Sequence, residues 1–284
     1  MNVTSIISTK GGVGKTTITA NLGGFLADAG LRVLLIDLDI QPTLSSYYKL
    51  TSIATCGVYE FIAFNEQNLN QLISKTEIHN LDLIFSNDDK GQLNTLLLHA
   101  PDGRFRLKNL LSIFEPDYDL ILLDTQGARS ITLEMAIVAS DKLISPVTPA
   151  VLAAREFRRG TLQLMQDIEP YRHLGINLPN VQMLINCVPS VSSSAKLIQK
   201  MLCDLFEQQQ NIHMLQTSIP SVEAYAKSSI LAMPVHRIEY RKPSGRKAPA
   251  ALETIRTLAC ELFPQWTDKF ELVTGKIKEV SNAS

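Results

Sequence analysis

The residues best suited to chemistry come early in the chain. Ser8-Thr9-Lys10-Gly11-Gly12-Val13-Gly14-Lys15-Thr16-Thr17 sets two lysines and three glycines between a short β-branched run, Val3 to Ser8, and an apolar segment of helical spacing that begins at Thr16. Glycines let a backbone wrap closely round phosphate oxygens, and amides at a helix N-terminus point at an anion where the helix dipole favours it. In such a loop Lys15 reaches the β- and γ-phosphates of a nucleoside triphosphate and the Thr16 hydroxyl ligates Mg²⁺. Gly11, Gly12, Val13, Gly14 and Thr17 complete the cradle. The strict pattern G-x-x-x-x-G-K-[ST] is not met. Position 9 is Thr, and a second lysine, Lys10, stands directly before Gly11.

Three acids follow apolar runs. Asp37 and Asp39 close the run Arg32 to Leu38, and Asp124 closes Leu120 to Leu123. Open α/β sheets bind ligands at the C-terminal ends of their strands, which is where these carboxylates fall. Asp124 suits the water-bridged shell of a Mg²⁺ ion. Asn186 stands at the end of a further apolar run, Val181 to Cys187, and the stretch Thr217-Ser218-Ile219-Pro220 follows it.

The elements that must carry these residues are legible in the same pattern. The near-continuous apolar runs, with Leu81 to Phe85 and Leu143 to Val147, read as strands buried on both faces. Thr16 to Ala29, Leu107 to Phe114, Ile131 to Ala139, Arg155 to Ile168, Ala195 to Gln208 and Ala250 to Leu262 read as helices. Such alternation predicts an α/β fold, a mostly parallel twisted sheet with helices on both faces. The predicted organisation is one domain over 1–264 and a C-terminal tail of uncertain order over 265–284. The 284 residues give ample core, and 45% hydrophobic with 19% charged residues excludes general disorder. A net charge of −1 excludes a polycation, so any nucleic-acid contact must be local. Met1 to Lys10 lacks the features of a signal peptide, and no apolar run is long enough to span a bilayer. Cys56, Cys187, Cys203 and Cys260 are scattered and read as buried free thiols of a reducing cytoplasm. No long segment precedes the glycine-rich loop, so a helix-turn-helix domain is not expected there.

The stretch Lys10 to Thr17, KGGVGKTT, resembles the deviant Walker A motif of the ParA/MinD family of P-loop ATPases, and the likeness extends over roughly Met1 to Phe263. The resemblance implies a P-loop NTPase fold, ATP and Mg²⁺ as cofactors, and a homodimer in ATP in which Lys10 crosses to the nucleotide of the partner subunit. It implies that Asp39 orients or deprotonates the attacking water, with Lys10 and Lys15 as the cationic catalytic groups, that Asp37 helps hold the Mg²⁺ shell with Thr16 and Asp124, and that Asn186 reads the adenine amino group beside Pro220. Two departures stand out. Ile40 replaces a common Pro, and Thr125-Gln126-Gly127 replaces the D-x-P-P continuation after Asp124, which bears on switching at the γ-phosphate.

Beyond the nucleotide site, 236–247 carries five Lys/Arg and one Glu, a local charge of +4. Arg237, Arg241, Lys242, Arg246 and Lys247 are therefore the candidate DNA contacts, and Arg155, Arg158 and Arg159 form a second cluster on one face of an expected helix, open to a partner protein or to DNA. Trp266, Phe270, Val273, Ile277 and Val280 recur at helical spacing, with polar neighbours of balanced charge; packing on the body fits this better than a membrane surface, which favours a basic face. The expected function is an ATP-dependent DNA-partitioning ATPase of ParA type, cytoplasmic and nucleoid-associated. In ATP its dimer binds DNA non-specifically, and a centromere-binding partner protein stimulates hydrolysis. The alternative is a MinD-type positioning ATPase acting on membrane or a cell-pole structure. An electron-transfer ATPase would need cysteines for a bridging cluster, and 124–139 has none. A small-molecule ligase with the same loop is a further class.

Overall fold

The computed structural model describes residues 1–150, 152–189, 193–206, 209 and 211–275, with side chains throughout except at 193–196 and 203. Among the described residues nine strands form one sheet in the order β3-β4-β5-β2-β6-β1-β7-β8-β9. The strands are β1 (Asn2–Ile6), β2 (Val33–Asp37), β3 (Leu50–Ser52), β4 (Ser74–Thr76), β5 (Leu81–Ile84), β6 (Leu120–Asp124), β7 (Lys142–Val147), β8 (Val181–Val188) and β9 (Ile212–Pro220). From β5 to the β9 edge neighbours pair in parallel; at the other edge β3 pairs antiparallel with β4 and β4 antiparallel with β5.

Side chains on a strand alternate between faces, and that alternation explains the continuous apolar runs. Val33 and Leu35 of β2, with Leu120 and Leu122 of β6, pack on one side against α1 (Lys15–Asp28) and the helix Ala251–Leu262. Leu34, Ile36, Ile121 and Leu123 pack on the other side, against the helices Val58–Phe64, Gln92–His99 and Ile131–Ala139. Helices therefore cover both faces, as the sequence predicts.

Three features differ from the sequence reading. The helix expected over Arg155 to Ile168 starts earlier, at Ala153, and carries a π-turn, Arg158–Leu162, between Ala153–Phe157 and Gln163–Ile168. Strand β9, Ile212–Pro220, has no counterpart among the expected strands. The thiols are not deeply buried: among the described residues Cys56 and Cys260 are half-buried and Cys187, near the end of β8 in the left-handed region at φ 57°, is exposed, and all three are free. At the C-terminus Phe270 and Val273 are buried in the main core, Phe270 against Phe25 with ring centroids 5.7 Å apart. Ile277 and Val280 lie outside the described residues.

Candidate nucleotide site

The loop Ser8–Gly14 joins β1 to α1. Gly14, at φ 91°, sits in the left-handed region at the N-cap of α1, and Gly12 has φ 73°. Both positions need the freedom of glycine. A Cβ at Gly14 would also collide with the Asn186 amide. Lys15 begins α1 and is 7% exposed, its ammonium pushed to a lower pKa by burial against the pull of Asp124 and Asp39. A buried lysine under a ring of backbone amides is an anion cradle.

Two carboxylates stand behind it in register, because Asp37 of β2 pairs with Asp124 of β6. Both are fully buried. The Thr16 hydroxyl donates to Asp124 Oδ2 at 2.6 Å. Asp124 is pushed up to about 8 by burial first and the Asp37 charge second. Asp37 is pushed up to about 6 by burial, opposed by hydrogen bonds from the Ser45 hydroxyl at 2.7 Å, the Ser45 amide at 2.8 Å and the Asp39 amide at 3.1 Å. Asp37 thus organises the loop after β2 and holds Asp39 at the cavity edge. Two buried acids that resist ionisation together are a place for a cation. The donor set is hydroxyl and carboxylate oxygen, which suits Mg²⁺. Among the described residues no group of three or more His, Cys, Asp or Glu could hold a metal alone.

Asp39, Ile40, Gln41 and Thr43 face the glycines, Lys15 and Thr16 across an open cavity of about 600 Å³, whose third side is Gln126, Gly127 and Ala128. A second, more apolar pocket of about 210 Å³ opens from Gly14 between Asn186, Ile219, Pro220 and Tyr225. Asn186 is buried, and its Nδ2 donates to the Val13 carbonyl at 2.7 Å. Its amide therefore ties β8 to the loop, a structural duty that the sequence does not reveal, and leaves Oδ1 as the atom turned to other partners.

Lys10 behaves differently from Lys15. It does not line the phosphate cavity of its own chain. Its Nζ lies 2.5 Å from Glu156 Oε2, with both side chains well exposed. Glu156 sits on the short helix ahead of the π-turn, and that turn approaches so closely that a Cβ at Gly160 would run into the Thr9 side chain. A π-turn at a functional loop is a common device.

The basic stretch is corrected in two places. Arg237 is not an open cation: its Nε donates to Asp28 Oδ2 at 2.7 Å, its Nη2 is 2.5 Å from Asp28 Oδ1, and it is largely buried. Arg246 is held by both oxygens of Glu239 and by the Pro249 carbonyl. Both guanidinium groups are consumed inside the fold. Arg241, Lys242 and Lys247 remain exposed, as do Arg155, Arg158 and Arg159.

The fold and the loop define a P-loop NTPase. A family model described as an AAA domain matches residues 1–178. An uncharacterised protein of Methanocaldococcus jannaschii, MJECL24, is 30% identical over 259 residues, covering 86% of this chain and 94% of the relative. The sporulation initiation inhibitor protein Soj of Bacillus subtilis is 32% identical over 179 residues, 62% of this chain and 68% of Soj. An ATP complex of McdA from Cyanothece shares the fold at TM-score 0.71 and 20% identity, covering 95% of this chain and 94% of McdA. The chain belongs to the ParA/MinD family of P-loop ATPases. No helix among the described residues is long and apolar enough to cross a membrane.

Proposed function

We propose that this chain is an ATP-hydrolysing partition ATPase of ParA type, which dimerises on ATP, binds DNA non-specifically as the dimer, and is released when a centromere-bound partner protein stimulates hydrolysis. The observation that carries the reading is Lys10, an exposed cation beside the phosphate cavity that does not enter its own cradle. A cation so placed is available to the phosphates of a second copy, which makes association depend on the triphosphate.

Within one subunit the roles divide by position. The loop amides and Lys15 hold the phosphates. Thr16 and Asp124, with Asp37 behind, fit a Mg²⁺ ion that supplies charge neutralisation on the phosphate oxygens. Asp39, two residues past the buried Asp37, holds the attacking water and takes its proton. The apolar pocket takes the base, with Asn186 Oδ1 accepting from the adenine amino group and Pro220 as a wall.

The DNA part of the reading is supported by Arg241, Lys242 and Lys247. Neutralising about three phosphates gives a log–log salt slope of about −2.7 per subunit. Phe270 and Val273 of the C-terminal segment are buried in the core, which supports DNA over a membrane surface as the ATP-dependent partner. The test is sedimentation in ATP. Wild type dimerises, Asp39→Ala accumulates as an ATP-bound dimer that turns over slowly, and Lys10→Ala stays monomeric while still binding ATP. A Lys10→Ala protein that dimerises with normal affinity overturns the reading.

A further inference from the structure

The loop after β6 carries a glutamine that the strand register places opposite Asp39. Asp37 and Asp124 are register partners on adjacent parallel strands, and the ladder runs one step further, with the Leu38 amide donating to the Asp124 carbonyl at 2.9 Å. Asp39 and Gln126 are each two residues beyond that pair. They leave neighbouring strands at the same level, and both line the phosphate cavity.

The backbone around Gln126 is fixed on both sides. The Thr125 hydroxyl donates to the Ile6 carbonyl at 2.7 Å, pinning the preceding residue to β1. Gly127 is pressed against the glycine-rich loop, where an added Cβ would stand 2.7 Å from Gly11 Cα and 3.1 Å from Lys15 Nζ. Gln126 is thus held at the phosphate end of the cavity. Among the described residues its side-chain amide has no hydrogen-bond partner. An unengaged amide, half-buried beside a buried lysine and facing a carboxylate, has both a donor and an acceptor to offer a ligand. A proline at this place would offer neither.

We infer that Gln126 is a second water-positioning residue, acting with Asp39 in hydrolysis of the γ-phosphoryl group; the inference rests on the ATPase reading above. The amide carbonyl accepts one proton of the water and the amide N–H donates to a γ-phosphate oxygen, which sets the water in line. The water oxygen then bonds to the γ-phosphorus, the bond from that phosphorus to the bridging oxygen breaks, and its electron pair stays on ADP. One water proton passes to the Asp39 carboxylate and from there to the phosphate released. Gln126 itself gains and loses nothing.

The test uses Gln126→Met, which keeps length and removes the hydrogen bonds, with Gln126→Ala as a second variant of smaller volume. Single-turnover hydrolysis is measured beside nucleotide affinity and ATP-dependent dimerisation. Loss of one hydrogen bond to a charged group in the transition state lowers the rate by roughly ten- to a hundredfold. The inference requires that fall in both variants, with ATP affinity and dimerisation within about twofold of wild type. If either variant binds ATP normally and hydrolyses it within about twofold of the wild-type rate, the inference is overturned. The same result follows if the rate falls only in step with affinity. Asp39→Ala is run alongside. A wild-type chain that shows no turnover, or an Asp39→Ala chain that turns over normally, overturns the ATPase reading itself.

Discussion

Lys10 Nζ and Glu156 Oε2 meet at 2.5 Å across 146 residues of sequence, and that pair holds the second lysine of the loop on the outside of its own phosphate cavity. An exposed ion pair of this kind contributes little to stability, about 0–1 kcal/mol. Its consequence is positional. Glu156 competes with a partner's phosphates for the same ammonium. Glu156→Gln should therefore leave the melting temperature nearly unchanged and tighten ATP-dependent dimerisation by a few-fold. Sedimentation equilibrium in ATP reads this directly, and unchanged or weaker association would show that the pair does not hold Lys10 in reserve.

The two arginines withdrawn from the basic stretch give a contrast that one pair of variants can expose. Arg237→Ala leaves Asp28 without its main partner and should cost about 1–3 kcal/mol of stability, since a largely buried charge loses its hydrogen bonds. Arg241→Glu with Lys242→Glu changes only exposed side chains and should leave thermal stability as it was while removing DNA affinity. Thermal melts and DNA anisotropy on the same preparations separate the two. Equal stability of Arg237→Ala and wild type would return Arg237 to the list of open cations.

Much of this site is readable in the one-dimensional pattern, because its parts are local. The glycine-rich loop, Asp37, Asp39 and Asp124 all sit within a few residues of an apolar strand, and strand-to-helix alternation fixes which end of the sheet they occupy. The misread parts depend on distant neighbours. Arg237 finds Asp28 from 209 residues away, and nothing in a run of basic residues signals that. The π-turn Arg158–Leu162 lies where Gly160 comes against Thr9, again a long-range contact. Strand β9 escapes notice because His213, Gln216 and Thr217 interrupt its apolar pattern, and β3 and β4 are too short to show a period.

Asn186 ties β8 to the glycine-rich loop, and on the proposed reading it also accepts from the adenine amino group, so its removal should show both. Asn186→Ala leaves the Val13 carbonyl without its donor and the base pocket without its acceptor. ATP affinity should fall roughly tenfold or more, in line with the loss of a buried hydrogen bond. Selectivity for ATP over GTP should narrow as well. Calorimetric titration with both nucleotides measures this, and unchanged selectivity would remove Asn186 from base recognition.

His236 supplies a pH test away from the nucleotide. It is fully buried, with Nε2 2.7 Å from Asp28 Oδ2 and its ring edge-on to Phe25. Burial lowers its pKa, and the attraction of Asp28 only partly opposes this. A folded-state pKa below the unfolded value of about 6.5 means the unfolded chain binds the proton more readily. His236 therefore contributes stability above that pH, and the contribution is lost as pH falls through its folded-state value. An NMR titration of the imidazole should give a midpoint below that of a free histidine; a midpoint at or above it contradicts the assignment.

On the proposed reading ATP builds a dimer through Lys10, and this dimer is the DNA-binding species. The most direct measurement is anisotropy of a labelled duplex of arbitrary sequence, titrated with wild type and Lys10→Ala in ATP, in ADP and without nucleotide, at several salt concentrations. Tight binding is predicted for wild type in ATP alone, with a log–log salt slope of roughly −5 for the two subunits together. Lys10→Ala should bind weakly under all three conditions. Wild-type binding that is equally tight in ADP, or Lys10→Ala binding that matches wild type in ATP, would contradict the account.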